Sequence, residues 1–354
     1  MGILPDAEIK SINAFGYTYP ILEKVVNKAY MGVIKRTPKV WDYLYDNPKV
    51  IKRSALIKNF LHKGSYRKLD ALFKEFQPDT VVCTQAFPCG MVADYKRTNQ
   101  LDLTLIGVLT DYAPHLFWLN KGVDYYVVPS EDAKERFVSQ GISQESVKVF
   151  GIPIRSKFSE KENRNAIALK LGLDLRIPVI LIMGGGQGLG PIKEVVSSLM
   201  RSSMNMQLIV IAGTNKKLIE WLEEKIKETT KKIIFYEYAT NVDELMEVAT
   251  LIVTKPGGMT TAEALAKGLP MAIVNPIPGQ EALNTNFLIK KGIGIHITNM
   301  DSVSVEIERL LKSPDRLKAM SRAALAEGKP HAAMDIAQLI MSSPPQELAV
   351  ANFR

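Results

Sequence analysis

The sequence predicts two doubly wound α/β domains, each a parallel sheet covered by helices on both faces. Two observations carry this expectation. Short apolar runs such as PVILIM, QLIVIAG, KIIFYE, TLIVT and PMAIV recur with helical segments between them, the pattern of buried parallel strands. A chain of 354 residues, 46% of them hydrophobic, is also too long for one ordinary core and suits two domains of usual size.

Taken in order, EIKSIN reads as a strand and is followed by basic helical segments to about Phe76. Then come strand DTVVCT, a helix near Met91 to Lys96, strands LTLIGVL and YYVVPS, a helix over 131–139 and strand VKVF. The stretch GIPIRSKFSEK at 151–161 is polar and broken by proline, which places the linker there and the domains at 1–155 and 156–330. In the second domain, helices are expected from Pro191 and over 216–228, 241–248, 260–267 and 282–291, each between strands, before the last strand GIGIHI. A helix over 331–345 has no strand after it.

No apolar run approaches the roughly 18 residues that signal a membrane-spanning helix, and MGILPDAEIK lacks a signal-peptide pattern. The expectation is a cytoplasmic protein, soluble or peripheral. Cys83 and Cys89 show no metal-ligand spacing and read as reduced packing residues.

The net charge of +8 is concentrated in one segment. From Lys24 to Lys68 there are twelve Lys and Arg residues against Asp42 and Asp46, so the remainder of the chain is slightly acidic. Tyr19, Tyr30, Trp41, Tyr43, Tyr45, Phe60 and Tyr66 are interleaved with these cations. Basic and aromatic residues on helical segments suit an anionic membrane surface, with Lys35, Arg36, Trp41 and Arg53 as the contact residues. The bland alternative is a solvated helix face with some aromatics in the core. No RNA- or DNA-binding module accompanies the charge, so nucleic acid is not an expected partner.

Residues 254–286, TKPGGMTTAEALAKGLPMAIVNPIPGQEALNTN, carry the most chemistry. Lys255, Pro256, Gly257 and Gly258 follow an apolar strand and open a helix at Thr260, where unobstructed backbone N–H groups suit a diphosphate. Glu263 stands about one turn in, within reach of a ribose diol. One strand later, Gln280, Glu281 and Asn284 offer several hydrogen bonds, suited to a hexose. A second glycine cluster, MGGGQGLGP, also lies between a strand and a helix. It departs from GxGxxG, because Leu189 stands where the last glycine belongs, and QLIVIAG ends without an acidic residue for a ribose, so NAD is not the expected ligand. Gly185, Gly186, Gln187 and Gly188 are candidates to face the sugar or pyrophosphate; the alternative is a tight turn with no ligand.

Those segments, with VFGIPIRSKF at 149–158 and TDYAPHLFW at 110–118, resemble the family 28 glycosyltransferases, in particular the branch of monogalactosyldiacylglycerol synthase and the bacterial processive diacylglycerol glucosyltransferases. The resemblance spans about residues 5 to 340, in the family's order. It implies the GT-B fold, two Rossmann-like domains facing a cleft, with the last helix returning to the first domain. It further implies inverting transfer of glucose or galactose from UDP-glucose or UDP-galactose to diacylglycerol at the inner face of the cell membrane. No DxD motif is present, so the leaving diphosphate is expected to be stabilised by helix amides, with Lys255 either assisting or merely solvated, and without a metal or other cofactor. Base recognition is assigned to the loop holding Tyr238. On the acceptor side, Asp111 and His115 are candidates for the base and Trp118 for lipid contact, each weighed against a turn, loop or packing role. The family's GxGH loop is missing: the chain is expected to begin at the family's second strand. Rival readings are transfer of N-acetylglucosamine to a lipid carrier in peptidoglycan synthesis, and a truncated, non-catalytic UDP-sugar or membrane-binding protein.

Overall fold

The computed structural model describes residues 7–19, 67–113, 115–277 and 279–342. They form two compact units, Met1–Pro153 with His331–Arg354 and Ile154–Pro330.

In the N-terminal unit, helices α1 (Ala14–Thr18) and α2 (67–76) precede four parallel strands with α3 (Ala86–Asn99) and α4 (Glu131–Ser139) between them. The strands are β1 (Thr80–Cys83), β2 (Thr104–Val108), β3 (Tyr125–Val127) and β4 (Val147–Lys148), in the order β1-β2-β3-β4. All of β2 is buried, as a central parallel strand covered on both faces must be. Cys89, Val92 and Ala93 of α3 pack on Leu105, Tyr126 and Phe137 on one face. Gly107 lets this face close: a β-carbon there would stand 3.1 Å from the Tyr126 ring and 3.2 Å from Cys89 Sγ. Both cysteines are buried free thiols. α4 starts at Ser130, whose hydroxyl accepts the Ala133 N–H, with Glu131 and Asp132 in the first turn beside the positive end of the helix.

The stretch EIKSIN, expected as a strand, is not one. Ile9 is exposed, Lys10 pairs with Glu75 of α2 at 2.7 Å, and Asn13 Oδ1 accepts the Gly16 N–H at the start of α1. Its polar groups are taken by the two helices rather than by a neighbouring strand.

The second unit carries six parallel strands: β5 (Val179–Met183), β6 (Gln207–Ile211), β7 (Ile233–Tyr236), β8 (Leu251–Thr254), β9 (Met271–Val274) and β10 (Gly294–Ile297). Their spatial order is β10-β9-β8-β5-β6-β7. The helices are α5 (Arg164–Leu171), α6 (Ile192–Arg201), α7 (Lys216–Lys225), α8 (Val242–Val248), α9 (Gly258–Ala266), α10 (Gln280–Lys290), α11 (Val303–Leu311) and α12 (Pro314–Glu327). Strands β5, β6, β8 and β9 are buried throughout, and Val196, Leu199, Leu218, Leu222, Ile307 and Leu310 from α6, α7 and α11 close over one face. A last helix, α13 (Ala332–Ser342), belongs to the N-terminal unit, where Ile336 and Leu339 pack on Ile106, Val108 and Val127. Among the described residues no helix is long and apolar enough to cross a membrane.

Candidate functional site

The strand order of the second unit locates a crevice before any side chain is considered. From β5 the chain steps outward to β6 and β7, then returns to place β8 on the other side of β5. Loops leaving the carboxyl ends of β5 and β8 therefore diverge, and in open α/β sheets ligands bind at such a reversal. Register makes the ends level, because Met183 pairs with Ile211 on one side and Thr254 on the other. Both glycine clusters singled out in the sequence stand there: MGGGQGLGP follows β5 and KPGG follows β8.

The loop after β5 is folded on itself. Gly188 N–H donates to Gly185 O at 2.9 Å and Leu189 N–H to Gly184 O at 3.1 Å, while Thr214 N–H and Asn215 Nδ2 reach across from the β6–α7 loop to Gly186 O and Gly188 O. The glycines divide into two kinds. A β-carbon at Gly184 would stand 2.1 Å from Leu189 O, and one at Gly188 would stand 1.8 Å from Ala212 O at a φ of +57°, so the fold itself requires glycine at both. Gly186 has no atom within 4 Å of its missing β-carbon and an ordinary φ; Gly185 has only Lys255 Cε, at 3.8 Å, though its φ of +70° still calls for glycine. Gly186 and the exposed Gln187 thus present the open side of the loop.

The turn after β8 opens α9 with Gly257 as N-cap, φ −66°, and no side-chain cap. A β-carbon at Gly257 would meet only Glu281 Oε1, at 3.9 Å. Neither backbone nor packing demands glycine here, and the amides of Gly258, Met259 and Thr260 begin the helix where no intrahelical acceptor exists. Glu263 lies in the second turn of α9. Burial raises its carboxyl to about 7, against the pull of Arg155 and Lys157 and with Asp243 pushing the same way as burial. Lys157 is itself paired with buried Asp243 and donates to Thr240 O at 2.6 Å, which ties the linker to the loop after β7. Sequence reasoning missed Arg155, Lys157 and Asp243. The signal was a carboxylate inside an apolar helix, which needs cations near it.

The polar residues after β9 bond the protein itself. Lys255 Nζ donates to Glu281 Oε1 at 2.5 Å, the second carboxylate oxygen accepts the Ile277 N–H at 2.9 Å, and Asn284, fully buried, donates to Pro256 O at 3.0 Å. Glu281 and Asn284 thus bind the protein's own loops, and Lys255 is occupied by a carboxylate. Gln280, half-buried, is the first residue of α10 and stays nearest the expected role. Tyr238, in the loop after β7, is 67% exposed and so closes no core.

In the N-terminal unit, Asp111 and His115 lie on the irregular segment after β2. His115 Nδ1 accepts the Phe117 N–H at 3.1 Å and its ring stacks on Phe117 with centroids 4.5 Å apart. That bond keeps the proton of a neutral ring on Nε2. Trp118, expected against lipid, is instead buried among Cys83, Cys89, Leu105 and Tyr126, so its ring is a core element. Lys35, Arg36, Trp41 and Arg53 lie outside the described residues.

Comparison with known proteins decides the family. The monogalactosyldiacylglycerol (MGDG) synthase profile matches residues 3–154, and that of the glycosyltransferase family 28 C-terminal domain matches residues 179–339. A processive diacylglycerol beta-glucosyltransferase of Bacillus cereus (strain B4264) is 30% identical over 329 residues, covering 93% of this chain and 84% of that one. This chain belongs to the diacylglycerol glycosyltransferases of family 28. The Bacillus subtilis (strain 168) relative of the same name is also 30% identical, over 88% of this chain and 80% of its own. Among solved structures, MurG of Acinetobacter baumannii superposes with a TM-score of 0.64 at 15% identity, covering 80% of this chain and 79% of that one. The MnaA–UDP complex of S. aureus gives 0.60 at 18% identity, over 81% and 84%. These two likenesses establish the fold, GT-B, and each half of this glycosyltransferase is the parallel-sheet unit it calls for.

Proposed function

We propose that this glycosyltransferase moves glucose or galactose from UDP-glucose or UDP-galactose to the free hydroxyl of diacylglycerol, with inversion at the anomeric carbon, while held peripherally on the inner, anionic face of the cell membrane. The carrying observation is the pairing of Gly186 and Gly257. Both are glycines that the fold does not require, and they stand on adjacent loops at the strand-order reversal. Bare backbone at the start of a helix accommodates a diphosphate without side-chain obstruction. Relatives named for diacylglycerol glucosylation supply the acceptor class.

In this reading the β-phosphate lies at the Gly258, Met259 and Thr260 amides, which stabilise the charge that develops as the bond from sugar C1 to phosphate oxygen breaks. Glu263, ionised, accepts the ribose hydroxyls, and Arg155 and Lys157 favour that ionised form. Gln280 and Gln187 address the hexose. The acceptor oxygen attacks C1 from the opposite face and passes its proton to a carboxylate or imidazole. Asp111 is the better candidate, because the bond from Phe117 N–H already uses the lone pair of His115 Nδ1. The amide-rich pocket supplies the electrostatic help a metal gives elsewhere, so no metal is assigned to the reaction. The basic and aromatic segment from Lys24 to Lys68 supplies the membrane contact, each cation near the surface adding about 1 kcal/mol.

The test is transfer from radiolabelled UDP-glucose and UDP-galactose to diacylglycerol in liposomes with and without anionic lipid, with wild type beside Asp111→Asn. Labelled monohexosyl diacylglycerol from wild type, greatly reduced in the variant and dependent on anionic lipid, is expected. UDP binding with no transfer from either sugar would overturn the reading in favour of a binding protein.

A further inference from the structure

The turn after β8 is held by side chains of α10. Two links join the turn after β8 to the start of α10: Lys255 to Glu281, and Asn284 to the carbonyl of Pro256. The second has the sharper consequence. A trans peptide is planar, so its C=O and the next N–H point in opposite directions. Fixing Pro256 O therefore fixes the Gly257 N–H, which donates to Lys255 O at 2.9 Å, and sets the backbone direction from which α9 departs. Asn284 is fully buried, and the residues it joins lie 28 positions apart. A buried polar side chain is costly unless bonded, and here the bond is to the turn at the crevice.

We propose that Asn284 is a positioning residue for donor binding: by holding the Pro256 carbonyl it aims the amides at the start of α9, while Glu281 holds Lys255 and the turn at Ile277 in the same frame. This assigns Asn284 and Glu281 to the frame of the site rather than to its ligand contacts. It rests on the reading that α9 receives the diphosphate.

The experiment compares wild type, Asn284→Asp and Thr285→Val. Asn284→Asp is nearly isosteric but replaces the donor by a carboxylate facing a carbonyl. Thr285→Val removes an equally buried bond, Thr285 Oγ1 to Glu281 O at 2.8 Å, that stays within α10 and does not touch the turn. UDP affinity by calorimetry, KM for the UDP-sugar and for diacylglycerol, and melting temperature are measured for each. The expected result is about tenfold weaker UDP binding and a raised donor KM for Asn284→Asp, with the acceptor KM unchanged. Thr285→Val should lose melting temperature alone. UDP affinity equal to wild type in Asn284→Asp would overturn the proposal and leave Asn284 a core residue. If Asn284→Asp does not fold, Asn284→Ser, too short to span to Pro256, is read by the same criteria. Failure of wild type itself to bind UDP would instead sink the donor-site reading, which keeps the two apart.

Discussion

The carbonyl oxygen of Ala212 occupies the place where a β-carbon on residue 188 would have to stand, 1.8 Å away. The β6–α7 loop thus presses on the glycine loop from behind. Thr214 and Asn215 complete the contact by donating to Gly186 O and Gly188 O. One face of the loop is committed to the protein, and the opposite face, at Gly186, stays open.

This division separates stability from binding. Gly188→Ala should lower stability by about 2–4 kcal/mol, since both the contact with Ala212 and the positive φ oppose a side chain. Gly186→Ala should melt within a degree or two of wild type yet weaken UDP-sugar binding, because its methyl group projects into the open face. Thermal melts and calorimetric titration of UDP on the two variants check the pair of outcomes.

Glu263 contributes more stability to the second unit in mild acid than at neutral pH and above. Its folded carboxyl titrates near 7, above the ordinary value of 4.5, so between these values the folded state holds a proton that the unfolded state has released. Its contribution is therefore lost as pH rises through that window, by about 3 kcal/mol at the upper limit. Melting curves from pH 5 to pH 8 should show the decline in wild type and a flatter profile in Glu263→Gln. The same substitution should weaken UDP binding at pH 8, where the carboxylate would otherwise be ionised and able to accept the ribose hydroxyls.

Trp118 is predicted to matter for folding and not for lipid. Trp118→Ala removes a ring packed among Leu105, Tyr126 and Cys89, which should cost roughly 3–5 kcal/mol. The main chain there is also held, since the Tyr126 hydroxyl donates to Trp118 O at 2.9 Å. Trp118→Phe should keep most of the stability and bind anionic liposomes as wild type does in a sedimentation assay.

The central strands of the second unit, β5, β6, β8 and β9, were legible because each is a short, wholly buried and mainly apolar run between turn signals. EIKSIN misled because a six-residue stretch cannot itself reveal whether a partner strand is in reach; Lys10 and Asn13 found helices instead. The helices α11 and α12 went unplaced, since they follow the last strand and no alternation marks them. At the site, the glycine loops could be read from strand–turn–helix context. Which polar residues face a ligand could not: Asn284 and Pro256 are 28 positions apart, and only the folded sheet shows that the amide is spent on the turn. Trp118 illustrates the same difficulty, an aromatic ring equally suited to lipid or to a core until the sheet is assembled.

The last helix imposes an order on biosynthesis. Residues 154–330 form one uninterrupted stretch and can acquire their core as soon as they leave the ribosome. The N-terminal unit cannot, although it is made first, because Ile336 and Leu339 of α13 are needed against Ile106, Val108 and Val127. That patch of apolar surface waits through the synthesis of the entire other unit. A nascent chain stalled before His331 would carry a finished nucleotide-fold half attached to a half still open to water, which makes the appearance of α13 the step at which the first unit becomes safe from aggregation.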